Sequence, residues 1–434
     1  MVKIRNKKYV YGALAVLAVL IVMIIAIPSG KNDAKASRGI RGINAALTNE
    51  MSDTEGLARM EKEVKTFMQR WQIRGLELCV MRNDSLLYAK GFGWADKEKE
   101  EPMRPGTIMR VASVSKLITA AGIMKLVEDG KLSLSDKVFG PSGILNDTLY
   151  SNHITDKAYY DITVEQLLRH ESGLTIRRGD PMFRSRDWMN IYHLKEAPDQ
   201  ETLTSIAVRK RLGYTPGKSH EYSNFGYLLL SMIIERKTGQ DYEKWMQKNV
   251  LEPAGCEDFH LAYNSYEERL PGESRYHMQD NDPLVPKYDN SPDSVVRCYG
   301  GNDIRMLKGA GAWVCSGPEL ARFLASIDGR KGVPDILSIK SVRAMTTYTE
   351  DHKYGLGWNS VHPIKGWIRT GSLSGTSAYV GYFPDGECWI FLSNTHAWKG
   401  PRFSRTVHNF IAQCRQRYSG KMPKQNLFQT MDAK

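Results

Sequence analysis

Ser113 and Lys116 stand three residues apart in MRVASVSKLITAAGIMKLVEDG, a turn running into an apolar helix that ends at Gly130. On a helix, positions i and i+3 share a face, so the Lys116 amine can reach the Ser113 hydroxyl. A serine hydroxyl is a weak nucleophile until a neighbouring base takes its proton, and a lysine so placed is such a base. Ser115 adjoins Lys116 directly and points elsewhere. By itself the spacing is short and common, and it fits equally a solvated helix start capped by serine.

A second group lies a hundred residues on. Glu221-Tyr222-Ser223-Asn224 follows the turn Tyr214-Thr215-Pro216-Gly217 and leads into a strongly apolar helix, FGYLLLSMIIERKTG. At the mouth of that helix the Tyr222 phenol can relay a proton, and the Asn224 amide can hold a substrate carbonyl or orient Lys116. An asparagine there also reads as a cap. A cation-Thr-Gly triplet occurs twice. Lys237-Thr238-Gly239 closes the apolar helix, with Gly239 as its C-cap and Asp241 opening the next helix, and reads as structural. Arg369-Thr370-Gly371 instead lies between Trp367-Ile368 and a final hairpin.

Three spaced motifs in this order resemble the serine β-lactamase and penicillin-binding-protein superfamily, especially the branch with class C β-lactamases, D-alanyl-D-alanine carboxypeptidases and esterases. The phrases LLRHESGL from Leu167, YGLGW from Tyr354 and GSLSGT from Gly371 are similar to that family as well, and the likeness runs over residues 56–418. The resemblance implies an acyl-enzyme on Ser113, with Lys116 and Tyr222 sharing the general base and acid work. It places Asn224, Arg369, Thr370 and Gly371 at the substrate, the triplet being on a sheet-edge strand beside the serine. It implies an oxyanion hole from the backbone N–H groups of Ser113 and Ser372, and no metal or other cofactor.

Arg369 departs from the lysine or histidine usual at that position. Arginine keeps the charge and can grip a carboxylate through two parallel hydrogen bonds, but it does not give up its proton. Its charge, with burial, should lower the pKa of Lys116. The expected substrate is a small molecule or peptide bearing a carboxylate. A peptidase or esterase on envelope or small substrates ranks first and a class C-like β-lactamase second. A non-catalytic ligand-binding sensor or scaffold on the same fold is the alternative of another class.

The elements that must position these residues are legible from periodicity. Leu57, Met60, Val64, Phe67, Met68 and Trp71 form one helical stripe, and Phe403, Val407, Phe410, Ile411 and Cys414 another. Just inside them lie strand pairs: GLELCVMR and SLLYAKGFGWA around Asn83-Asp84, then TSAYVGYF and ECWIFLSN around Pro384-Asp385-Gly386. The expected fold class is α/β (α+β): one antiparallel sheet from both chain ends flanked by helices, plus a mainly helical subdomain within residues 112–320. Residues 256–306, rich in tyrosine, read either as an overhang of the cleft or as a surface excursion.

Of the 434 residues, 41% are hydrophobic and 25% charged, which excludes wholesale disorder, collagen-like repeats and coiled coil. The net charge is +12, and residues 1–41 hold eight Lys/Arg against Asp33 alone. Basic excess gathered at the N-terminus argues for membrane topology, with no nucleic-acid partner. Residues 10–27 are uncharged and apolar, long enough for a signal anchor.

The expected organisation is a stub and transmembrane anchor over 1–28, a linker over 29–53, the hydrolase-like domain over 54–418 and a polar tail over 419–434. The catalytic domain then lies outside the inner membrane, periplasmic or extracellular. The alternative is secretion after cleavage near Ala34-Lys35-Ala36. The six cysteines and ten histidines show no metal-ligand spacing, and disulfides are permitted in that compartment.

Overall fold

Asn83 and Asp84 both adopt positive φ, 47° and 61°, the left-handed pair that closes a two-residue hairpin. They join β1 (Gly75–Arg82) to β2 (Ser85–Asp96), with Cys79 opposite Ala89. The computed structural model describes residues 46–432 apart from Arg178, Asp351 and Lys353. β3 (Glu101–Pro102) extends the hairpin, and the C-terminal part adds β4 (Ser360–His362), β5 (Gly366–Leu373), β6 (Thr376–Tyr382) and β7 (Glu387–Ser393). The sheet order is β3-β2-β1-β7-β6-β5-β4. β1 pairs antiparallel with β7, Leu78 opposite Phe391, so both chain ends meet at its centre as the hairpin signals imply.

The principal helices are α1 (Ala58–Trp71), α2 (Ser115–Glu128), α3 (Ser185–Tyr192), α4 (Gln200–Ala207), α5 (Asn224–Thr238), α6 (Gly317–Ala325), α7 (Phe403–Tyr418) and α8 (Leu427–Asp432). Alternation along β1 separates two cores. Leu76, Leu78 and Val80 face α1 and α7, where Phe67 stacks on Phe410 with ring centres 4.2 Å apart. Cys79 and Met81 face the other way, into the core that holds α2, α5 and α6. α2 and α5 are apolar around most of their circumference and are buried accordingly. All six cysteines are buried free thiols.

Two segments flanking the sheet and helices are packed against them. The expected polar tail is packed over residues 419–432: Leu427, Phe428 and Met431 are buried on one face of α8. Arg322 donates to the Asp432 carboxylate at 2.6 Å, its guanidinium 4.6 Å from the Phe428 ring centre. An apolar face of three residues in a polar stretch is too short to register as periodicity. The end of the expected linker is also docked. Ser52 Oγ accepts from Ala89 N at 3.0 Å and donates to Ala89 O at 2.9 Å, and Asn49 Oδ1 accepts from Gly91 N at 2.8 Å, covering backbone groups of β2. The stub, the anchor over 10–27 and the rest of the linker fall outside the described residues. No helix of the described residues is long and apolar enough to cross a membrane.

Candidate active site

Ser113 lies in the short 3-10 turn Ala112–Val114 that feeds α2, and Ala112 before it holds φ at 49°. A left-handed alanine costs about 1–3 kcal/mol and persists only where its surroundings enforce it. Here β5 presses against the turn. A Cβ at Gly371 would lie 2.4 Å from the Val111 carbonyl oxygen and 3.1 Å from Ser113 N, so only glycine admits the strand this close. Ser113 itself is partly open to solvent, while Lys116 is fully buried.

Two groups converge on the Ser113 hydroxyl. Lys116 Nζ lies 3.3 Å from Oγ, and the Tyr222 hydroxyl donates to Oγ at 2.7 Å. Lys116 Nζ also donates to Asn224 Oδ1 at 2.7 Å and to the Ala310 carbonyl. Ser223, and not Asn224, caps α5, accepting from Gly226 N at 3.1 Å. The Asn224 side chain is thereby left to bridge Lys116 and Asp180, donating to Asp180 Oδ2 at 2.7 Å.

Burial is the main cause that pushes the Lys116 pKa well below the ordinary lysine value; the Arg369 charge adds to it and Asp180 opposes it. The amine is therefore held toward its neutral, basic form. Burial moves the Tyr222 phenol upward, against the pull of Arg369 and of its bond to Ser113, which keeps it a proton donor.

Arg369 reaches the serine differently from the sequence expectation. It is 1% exposed, donates from Nε to the Ser113 carbonyl at 2.7 Å and from Nη2 to the Tyr222 hydroxyl at 3.4 Å. The guanidinium thus braces the turn and projects its charge onto Lys116 and Tyr222, rather than presenting an open fork to the cleft. Thr370 donates from N at 2.7 Å and from Oγ1 at 3.2 Å to Asn359 Oδ1, on the β4 side of β5. Strand alternation sends the N–H of Ser372 to that same edge, where β4 no longer pairs, its partners being Gly366, Trp367 and Ile368. The second cation-Thr-Gly copy is remote: Gly239 adopts φ 67° and ends α5, and Lys237 faces Asp136 at 3.8 Å.

The structure therefore gathers Ser113, Lys116, Tyr222, Asn224 and Arg369 and lays the 370–372 strand alongside. Sequence reasoning missed Asp180, Asn359 and His170. The His170 Nδ1 accepts from Ser223 N at 3.2 Å, and its ring centre lies 4.6 Å from that of Tyr222. Burial, followed by the Lys116 and Arg369 charges, lowers its pKa well below the usual value, so it is neutral. The available signals were the Asp180-Pro181 turn and the His170 phrase, neither tied locally to a role. Among the described residues no group of His, Cys, Asp or Glu gathers as a metal site.

Residues 256–306 touch both walls of the cleft. The Tyr276 hydroxyl accepts from Arg110 N at 2.8 Å, and Gly375, φ 77°, packs so close that a Cβ would lie 2.7 Å from Tyr276 Cβ. Farther along, the Lys287 carbonyl accepts from Arg186 at 2.9 Å and Asn290 donates to Asn190 at 3.1 Å, both on α3. The segment spans from the β5–β6 turn to α3.

The family model described as Beta-lactamase matches residues 60–412. This chain belongs to the β-lactamase family of serine hydrolases. Penicillin-binding protein 4* of Bacillus subtilis (strain 168) is 29% identical over 348 residues, 76% of this chain and 70% of that protein. Protein flp of Staphylococcus aureus (strain N315) is 26% identical over 253 residues, 56% of this chain and 44% of its own length. The chain thus spans less than half the length of the flp relatives it matches.

Among solved structures, the D-amino acid amidase from Ochrobactrum anthropi SV3 complexed with D-phenylalanine superposes with a TM-score of 0.64 at 20% identity, over 85% of this chain and 100% of that one. The octameric penicillin-binding protein homologue from Pyrococcus abyssi gives 0.60 at 23%, over 85% and 79%. These two share the fold of the family.

Proposed function

We propose that this chain is an extracytoplasmic serine hydrolase forming an acyl-enzyme on Ser113, a penicillin-binding-type peptidase or esterase on envelope or small substrates. The observation that carries it is one hydroxyl set between a base held neutral and an acid held protonated: Lys116 at 3.3 Å and Tyr222 at 2.7 Å from Ser113 Oγ. Lys116 Nζ takes the Ser113 proton as Oγ attacks the substrate carbonyl. Tyr222 gives its proton to the leaving amine or alcohol and recovers one from the hydrolytic water, and Lys116 returns its proton to Ser113 Oγ as the acyl-enzyme breaks down. Asn224 fixes the amine and meets the substrate amide.

The backbone N–H groups of Ser113 and Ser372 stabilise the tetrahedral oxyanion, each donor worth ~3 kcal/mol. Substrate lies beside the Thr370-Gly371 stretch of β5 and its Ser372 edge, with its carboxylate drawn by the field of Arg369. The basic, apolar N-terminus over 1–28 supports a membrane anchor with the catalytic domain outside, and the relative named as a penicillin-binding protein supports envelope work.

The test is a turnover panel of an aryl ester, a D-alanyl-D-alanine peptide and a cephalosporin, with the Ser113→Ala protein alongside. Ester or peptide turnover abolished in the variant is the expected outcome. Cephalosporin turnover far above both would make the chain a β-lactamase, and no turnover of any substrate would point to a non-catalytic binding protein.

A further inference from the structure

Asp180 and Asn224 face the Ser113 network, but the residues on either side of them face elsewhere. Gly179, Pro181, Ser223 and Phe225 line a cavity of about 460 Å³ to which none of Ser113, Lys116, Asp180, Tyr222 or Asn224 contributes. The two loops are therefore a shared wall: one surface holds the catalytic network, the other a second chamber.

The chamber's lining joins apolar residues to a cationic cluster. Leu174, Ala207 on α4 and Phe225 give it an apolar floor, and Arg177, Arg209, Lys210 and Arg211 give it positive charge, with no Asp or Glu in the lining among the described residues. Glu221 lies 3.8 Å from Arg177 but already accepts from Thr175 Oγ1 at 2.7 Å and Ile176 N at 2.9 Å. Asp156 accepts from Leu212 N at 3.1 Å.

Arg209 faces His153 Nε2 at 2.8 Å, and an imidazole, neutral or protonated, carries no negative charge to offset it. Arg211 is exposed and has no partner among the described residues. An apolar floor under guanidinium groups, of which only Arg177 faces a carboxylate among the described residues, fits an anionic head on an apolar body, since Arg grips carboxylate and phosphate in the same forked geometry.

We propose that this chamber binds an amphipathic anion, a carboxylate or phosphate head on a short apolar chain, and that its occupancy alters turnover at Ser113 through the two shared loops. The head sits among Arg177, Arg209 and Arg211, with the tail over Leu174 and Phe225. A ligand that draws on Gly179–Pro181 or on Ser223 moves Asp180 or Asn224, and with them the amine of Lys116.

Calorimetric titration of the full chain with octanoate, octyl phosphate, 1-octanol and inorganic phosphate tests the site. At least one octyl anion should bind one to one. Affinity should fall at least about tenfold in the Arg209→Glu/Arg211→Glu protein, whose changes are at exposed positions, and in Ala207→Trp, which fills the chamber. A carboxylate source and a phosphate source are told apart by which octyl anion binds more tightly.

Several results overturn the site: no binding of either anion, 1-octanol binding as tightly, inorganic phosphate matching octyl phosphate, or unchanged affinity after charge reversal. Ester turnover with saturating anion should change at least about twofold in the natural protein and not in the double variant; unchanged turnover overturns the coupling. The titration reads heat rather than catalysis, so its failure is distinct from failure of the hydrolase reading.

Discussion

On one face of the sheet, α1 and α7 cover the strands with rings: Phe67 stacks on Phe410 and meets Phe391 edge-on, and Phe403 tilts against Trp71. The buried carboxylate of that face, Glu387, is matched by Arg415 at 2.9 Å and by Arg82. On the other face Arg322 meets Asp432 and Glu243 meets Arg305, but some buried ionisable groups lack such a partner. Among the described residues Lys116 makes no ion pair, Glu77 is fully buried with its pKa raised by desolvation, and burial pushes Glu319 up to about 8. Burying an ionisable group unpaired is unfavourable and disfavours its charged form, as the shifts of all three show. The α1/α7 face stabilises; the α2/α5 face holds a costly arrangement that the first makes tolerable.

The largest way to break this comparison is at Ser113. Ser113→Ala should lower kcat by about 10⁴-fold or more with the melting temperature close to unchanged, measured by steady-state ester hydrolysis and calorimetry. A variant that instead lost stability would make the turn structural. On the opposite face, Phe67→Ala should destabilise by about 3–5 kcal/mol in denaturant titration, with kcat/KM of the folded fraction unaltered.

Lys116→Met joins the two faces in one variant. It should abolish turnover and yet raise stability, by about 0.5–2 kcal/mol at neutral pH, because it replaces an amine whose charge the fold disfavours. The sign follows from proton linkage. The folded pKa lies below the ordinary 10.5, so the unfolded chain binds the extra proton, and natural stability rises with pH between the two values. The variant should lack that slope, and a destabilised Lys116→Met would contradict the account.

The smallest effect is at Arg369. Removing its charge raises the Lys116 pKa, so the rising limb of the pH–rate profile should move to higher pH in Arg369→Ala. It should move back in Arg369→Lys, which restores the charge without the fork. An identical limb in all three proteins would leave burial as the sole cause of the shift.

How much of this was legible follows the same division. The α1 and α7 stripes and the Asn83-Asp84 hairpin were readable because an apolar face and a left-handed turn leave local patterns. Ser113, Lys116, Tyr222 and Asn224 were readable as residue types at suggestive spacings. Asp180 was not, since its role rests on one contact to an amide 44 positions away. Nor was the turn of Arg369 toward the Ser113 carbonyl, because a triplet on a strand does not say which groups meet its side chain. The docking of α8 escaped because its three apolar residues matter only once Arg322 and β2 are beside them.

The central claim, a covalent intermediate on Ser113 formed with the help of Lys116, is tested most directly by intact mass and peptide mapping. The chain would be incubated with benzylpenicillin and, in parallel, an alkyl fluorophosphonate, beside Ser113→Ala and Lys116→Met. The account predicts one adduct with at least one of the two reagents, mapped to Ser113, absent in Ser113→Ala and formed far more slowly in Lys116→Met. An adduct on another residue, or none from either reagent, would contradict it.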